Sequence, residues 1–178
     1  MTFKFPLATA TWDQKEIDAM QNVIATGNFT MGKNVKSFEK IFSQYVGSQN
    51  AVMVNSGSSA NLLMIAALFY TKNPKLKLKR GDEVIVPAVS WSTSYYPLYQ
   101  YGLKIKFVDI SLETLNYDLD QLESAISKNT RVILAVNLLG NPNDFDCINK
   151  IIKEKNIILL EDNCESMGAT FNNKKTGT

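Results

Sequence analysis

Three short stretches of the chain combine residue types able to hold a flat, charged ligand. The first, Asn55-Ser56-Gly57-Ser58-Ser59-Ala60-Asn61, lies between an apolar run and a long helix-period segment. Gly57 lets the backbone approach a ligand closely, and Ser58 and Ser59 set hydroxyls beside the unpaired N–H groups of a helix start. Such a terminus favours an anion by about 0.3–1 kcal/mol per charge, and up to ~2 kcal/mol when partly buried. Alone, the stretch reads better as an ordinary Ser-capped helix. It is neither a G-x-G-x-x-G nor a Walker sequence, so dinucleotide and ATP readings lose support. The second stretch, Val86-Pro87-Ala88-Val89-Ser90-Trp91-Ser92-Thr93, places the Trp91 indole just past an apolar run, where it can stack on a flat ring, although packing in the core is the commoner fate of a Trp. The third, Leu159-Leu160-Glu161-Asp162-Asn163-Cys164-Glu165-Ser166, ends an apolar run in two carboxylates. Burying them unpaired costs several kcal/mol, and a cationic ring nitrogen would give Asp162 a partner. A surface helix cap explains Asp162 or Glu161, but less readily both. Cys164 reads as a small core residue.

Several chemistries are excluded. The chain has 178 residues and no histidine, which removes any internal Ser-His-Asp or Cys-His arrangement and any His-ligated zinc site. Its two cysteines, Cys147 and Cys164, form no C-x-x-C pair, so neither a metal site nor a disulfide framework is expected. The 19 basic and 17 acidic side chains leave a net charge of +2, too small to argue for nucleic acid or an anionic membrane as partner. The longest apolar run, 62–70, falls short of the ~18 residues of a membrane span, and no export leader opens the sequence. A soluble, cytoplasmic chain is expected.

The elements that must position these stretches alternate. Short apolar runs at 51–55, 83–87, 105–109, 132–136 and 157–161 have the character of strands buried on both faces. Helix-period segments fall near 13–26, 34–46, 58–72, 92–101, 118–127 and 144–155. Asp13 with Glu16, and Asp118 with Gln121, give capping-box-like starts. Repeated strand–helix–strand units predict an α/β fold, a mainly parallel sheet with helices on both faces. The length suits one domain with a substantial core. The basic stretch 73–80 reads as a solvated connection, and Asn172-Asn173-Lys174-Lys175 as a hairpin tip. No helix-period segment follows the strong strand signal at 157–161. The apolar faces of 132–136 and 157–160 are therefore expected to lack cover, as in a sequence cut short.

An anion cradle, a stacking aromatic and a deep Asp, in that order, describe a pyridoxal phosphate site. With this order and spacing the chain, from about Pro6 to its last residue, resembles the type I pyridoxal phosphate enzymes, specifically the DegT/StrS sugar aminotransferase family. The resemblance implies a three-layer α/β/α sandwich around a mixed, mostly parallel sheet, the large domain of the aspartate aminotransferase type. Residues 1–33 would be an N-terminal arm and first helix, and 34–178 an incomplete cofactor-binding domain. It also implies that Gly57 and Ser58 bind the cofactor phosphate, Trp91 stacks on the pyridine ring, Asp162 pairs with the ring nitrogen, and Glu165 lies near the 3'-hydroxyl side. Thr30, Met31 and Gly32 match the segment lining the substrate side. No metal is implied.

Details lean towards the sugar 3-dehydratase branch of that family. Asn137 stands where the aminotransferases usually carry a histidine, and Leu139-Gly140-Asn141-Pro142 and Glu161-Asp162-Asn163-Cys164-Glu165 match the dehydratase pattern. The implied substrate is a nucleotide-linked 4-keto-6-deoxy sugar, GDP-linked by the match around Trp91, in dideoxysugar and O-antigen polysaccharide biosynthesis. L-glutamate would be the amino donor, converting pyridoxal 5'-phosphate to its pyridoxamine phosphate form, and the complete enzyme would be a homodimer. The proton-moving base, a histidine in dehydratases and a lysine in aminotransferases, would lie beyond Thr178, so no catalytic base is assigned within the chain. Lys174 and Lys175 are not read as that lysine. A nucleotide-sugar 4-aminotransferase and a non-catalytic fragment are the alternatives.

Overall fold

A computed structural model describes residues 9–178; the first eight residues of the predicted arm lie outside it. Helix α1 (Gln14–Thr26) opens as expected: the Lys15 N–H donates to Asp13, the Asp13 N–H donates to Glu16, and Gly27 at φ 65 closes the helix. Helices α2 (Lys33–Val46) and α3 (Gly57–Tyr70) follow. Four parallel strands, β1 (Glu83–Pro87), β2 (Lys104–Val108), β3 (Thr130–Val136) and β4 (Ile158–Asp162), pair in the order β2-β1-β3-β4. Between them run α4 (Ser92–Gln100), α5 (Leu119–Ala125) and α6 (Phe145–Ile152). At α5, the Gln121 side chain reaches back to the Asp118 carboxylate rather than to its N–H.

The strand order explains the layers. The chain steps one way from β1 to β2, then reverses through β3 to β4. Right-handed crossovers therefore put α4 on one face and α5 and α6 on the other. Side-chain alternation matches. Val84, Val86, Val132 and Leu134 pack with Ile65 of α3 and Leu98 of α4, whereas Ile85, Ile133 and Ala135 pack with Leu122 of α5 and Ile148 of α6. The result is the expected helix–sheet–helix sandwich.

Two expectations fail. Residues 51–55 form no strand, because a strand exists only where a neighbour completes its ladder; the Met53 N–H donates instead to the Glu39 carboxylate. The apolar face of 132–136 is not uncovered, because β3 sits inside the sheet with helices on both sides, whereas β4, at the sheet edge, is only partly buried. Exposure concentrates elsewhere. No residue of α1 is buried, Ser43 alone is buried in α2, and Ile24, Ile41 and Val52 are each more than 60% exposed (65%, 62% and 67%).

The hairpin reading holds. Thr170–Phe171 (β5) and Lys174–Lys175 (β6) pair antiparallel across Asn172 and Asn173, both at positive φ (49 and 61) as a type I′ turn needs. The Lys175 ammonium donates to the Tyr45 carbonyl at 2.7 Å and lies over the Tyr45 ring, tying the hairpin to α2. Among the described residues, no helix is long and apolar enough to cross a membrane.

Candidate functional site

In open parallel sheets, ligands bind outside the carboxyl ends of the strands where strand order reverses. Here that point lies between β1 and β3. Beyond their ends, the starts of α3 and α4 and the segment after β4 enclose a pocket of about 240 Å³. Gly57, Ser58, Trp91, Asp162 and Glu165 all line it. Five residues drawn from three separate stretches therefore meet in one cavity.

Asp162 is 8% exposed and closes β4. Its Oδ2 accepts from Asn61 Nδ2 at 2.9 Å and from Ser94 Oγ at 2.7 Å, and its Oδ1 accepts from the Cys164 N–H at 3.1 Å. It does not cap a helix. Alternation along β4 sends Glu161 to the other side of the sheet, where it accepts from the Gly177 N–H and from Asn137. The two carboxylates are thus separated by the pleat and satisfied by different groups.

At the other end of the pocket, the Ser56 hydroxyl accepts from the Ser59 N–H and caps α3. Above Gly57 there is open space, since a Cβ built there would meet nothing within 4 Å. The N–H groups of Gly57 and Ser58, at the open start of α3, have no partner within the helix, and such a start is suited to an anion. Trp91 stands at the N-cap of α4 and is 74% exposed, so the core alternative fails for this indole. Cys164 is also exposed, because the chain turns out of the sheet after Asp162.

Other predicted residues fall differently. Glu165 lines the pocket, but its Oε2 accepts from the Leu139 N–H at 2.7 Å and so braces the turn at 138–140, where Leu139 takes φ 52. Asn137 is fully buried and faces away from the pocket; it accepts from the N–H and side-chain amide of Asn143 and donates to Asn163. Thr30 and Met31 are exposed and Gly32 is the half-buried N-cap of α2; all three lie outside this pocket, with the Thr30 hydroxyl on Asn28. Lys174 and Lys175 are likewise outside it. Asn61 and Ser94 also line the pocket, without a local motif to mark them. Their signal was helical spacing, Asn61 one turn past Gly57 and Ser94 one turn past Trp91, which puts each on the pocket side.

Burial pushes the Glu161 carboxyl above its ordinary value, partly offset by the Gly177 and Asn137 hydrogen bonds. The folded chain then holds this proton more tightly than the unfolded one. Stability falls as pH rises from the ordinary carboxylate value through the raised one. Glu161→Gln should flatten that slope, so thermal midpoints of the two proteins should converge near about pH 4 and separate by pH 7, the variant higher. Parallel curves across that range would contradict the assignment.

Residues 10–178 match the DegT/DnrJ/EryC1/StrS aminotransferase family. The chain belongs to this family. Among individual members, the GDP-4-keto-6-deoxy-D-mannose 3-dehydratase of Yersinia pseudotuberculosis is 66% identical over 174 residues, covering 98% of this chain and 44% of the relative. A crystal structure of GDP-4-keto-6-deoxymannose-3-dehydratase with a trapped PLP-glutamate geminal diamine superposes with a TM-score of 0.94 at 63% identity, over 98% of this chain and 45% of that one. A mutant of that enzyme with bound GDP-perosamine also superposes at 0.94, with 63% identity and the same coverage. The fold is therefore that of the pyridoxal phosphate aminotransferases. This DegT/DnrJ/EryC1/StrS member spans less than half the length of these relatives.

Proposed function

We propose that this chain is the cofactor-binding portion of a pyridoxal phosphate-dependent 3-dehydratase acting on a GDP-linked 4-keto-6-deoxy hexose. The observation that carries this reading is the buried Asp162 carboxylate, reached by three protein donors at the floor of a pocket that also holds an exposed indole and a helix N-terminus. The residues present fit the cofactor: open space over Gly57 for a phosphate, a free indole face for a ring, and a carboxylate for a cationic nitrogen. When bound, pyridoxal phosphate supplies an electron sink for the substrate carbon.

In this reading Gly57 and Ser58 donate N–H groups, and Ser58 its hydroxyl, to the phosphate. Trp91 covers one ring face and fixes its tilt. Asp162 holds the ring nitrogen protonated, worth about 1.36 kcal/mol for each unit by which that pKa rises. Glu165 orders the 138–140 turn beside the 3'-hydroxyl side. The base that moves the proton is a histidine outside this sequence. Residues 1–33 act as an arm, consistent with an α1 that buries none of its side chains, and 34–178 belong to the cofactor domain.

The test is product analysis. The full-length protein, given L-glutamate and GDP-4-keto-6-deoxymannose, should release 2-oxoglutarate, ammonia and a 3-deoxy sugar. A stable 4-amino sugar would place it among the aminotransferases instead. Thr30, Met31 and Gly32, outside the pocket of their own chain and with the first two exposed, are read as reaching the substrate side of a second subunit in a cytoplasmic homodimer. Light scattering of the full-length protein at micromolar concentration should give a dimer; an active monomer would contradict that arrangement.

A further inference from the structure

The geometry points to Ser94 and Asn61 as the positioning residues of Asp162, filling Oδ2 so that a single acceptor position, on Oδ1, is left for a cationic N–H. The inference rests on the proposed cofactor site and deepens it.

A carboxylate offers about four lone-pair positions, two on each oxygen. Oδ2 accepts from both Asn61 Nδ2 and Ser94 Oγ, which exhausts it. Oδ1 accepts from the Cys164 N–H, and no further donor reaches it among the described residues. The remaining position is therefore unique. The donors are themselves fixed. Ser94 is 3% exposed, and because its one hydroxyl proton goes to Asp162, the 3.2 Å contact with Ser90 Oγ must have Ser90 as donor. The two hydroxyls thus point the same way, Ser90 to Ser94 to Asp162. The second Asn61 amide proton lies 3.5 Å by its nitrogen from the Thr93 carbonyl, so one amide ties α3 to the start of α4 while holding the carboxylate. Asp162 cannot rotate without breaking donors on two helices. A carboxylate locked in this way meets a cationic ring nitrogen without reorganising, which is how preorganised groups favour a charged state.

The test uses the full-length protein with pyridoxal phosphate labelled with 15N in its ring, and reads two quantities: cofactor dissociation constant and the pH at which the ring nitrogen loses its proton. Ser94→Ala and Asn61→Leu, with circular dichroism confirming folding, should each weaken cofactor binding roughly tenfold and lower that pH by about one unit, the size expected for one hydrogen bond to a charged group. Ser94→Thr, which keeps the hydroxyl, should restore both. If Asp162→Asn shows these changes while Ser94→Ala and Asn61→Leu match wild type, the positioning role is wrong and the cofactor site stands. If Asp162→Asn itself binds and protonates cofactor like wild type, the cofactor reading fails and this inference with it. Should Ser94→Ala not fold, Asn61→Leu decides alone.

Discussion

Full-length protein carrying Asp162→Ala should lose turnover by about one and a half to three and a half orders of magnitude while still folding. Truncating one partner of a buried, hydrogen-bonded charge pair costs about 2–5 kcal/mol, and each 1.4 kcal/mol is a tenfold change in rate or affinity. The substitution also strands the donors of Asn61 and Ser94, each left without its acceptor in a part-buried or buried position, at about 1–3 kcal/mol apiece. Asp162→Asn separates the two contributions, since the amide keeps the volume and one acceptor oxygen but lacks the charge. Steady-state kinetics on both variants is the check. Turnover in Asp162→Ala within a few-fold of wild type would remove the central residue from the account.

The second large effect concerns the 178-residue chain on its own. It should be catalytically inert and unstable. Inertness follows from inventory: the chain has no histidine, and Lys175 is held by the Tyr45 carbonyl and ring, away from the pocket. Instability follows from the apolar surface on α1, α2 and the 51–54 segment, where Ile24, Phe38, Ile41 and Val52 are 65%, 50%, 62% and 67% exposed. Covering one such side chain contributes about 1.5–3 kcal/mol, and whole domains are stable by only ~5–15 kcal/mol. Two or three such gaps are decisive. Strong binding of a hydrophobic dye and a broad melt are expected. A sharp cooperative transition above about 45 °C, the lower edge for ordinary domains, would show that the sheet and its two cores suffice.

How much of this was legible from sequence depends on which physics each feature uses. The four paired strands and six helices were readable because both-face burial and 3.6-residue periodicity are local patterns, and the caps at Asp13 and Asp118 are local chemistry. Residues 51–55 carry the same apolar signature as β1, yet pairing depends on a neighbour that no local pattern reports. The cover over 132–136 is hidden from local patterns for a related reason. Coverage follows strand order, and the reversal at β1 places β3 inside the sheet, under α3 and α4 on one face and α5 and α6 on the other. In the pocket, Gly57, Ser58, Trp91 and Asp162 are legible from sequence because they lie at the start or end of a helix or strand, and Glu165 because it follows Asp162 in the turn after β4. Asn61 and Ser94 lie inside helices, and their importance appears only when the ends of β4, α3 and α4 converge. Asn137 shows the converse: a position conspicuous by its residue type turns inward to Asn143 instead of facing the pocket.

The most direct test is a crystal structure of the full-length protein with pyridoxal phosphate bound. The ring nitrogen should lie at about 2.7–2.9 Å from Asp162 Oδ1, the spacing of a charge-assisted N–H···O bond. The Trp91 indole should lie on one ring face, and the phosphate against the N–H groups of Gly57 and Ser58. A cofactor seated elsewhere, or one whose ring nitrogen faces any group other than Asp162, would contradict the account.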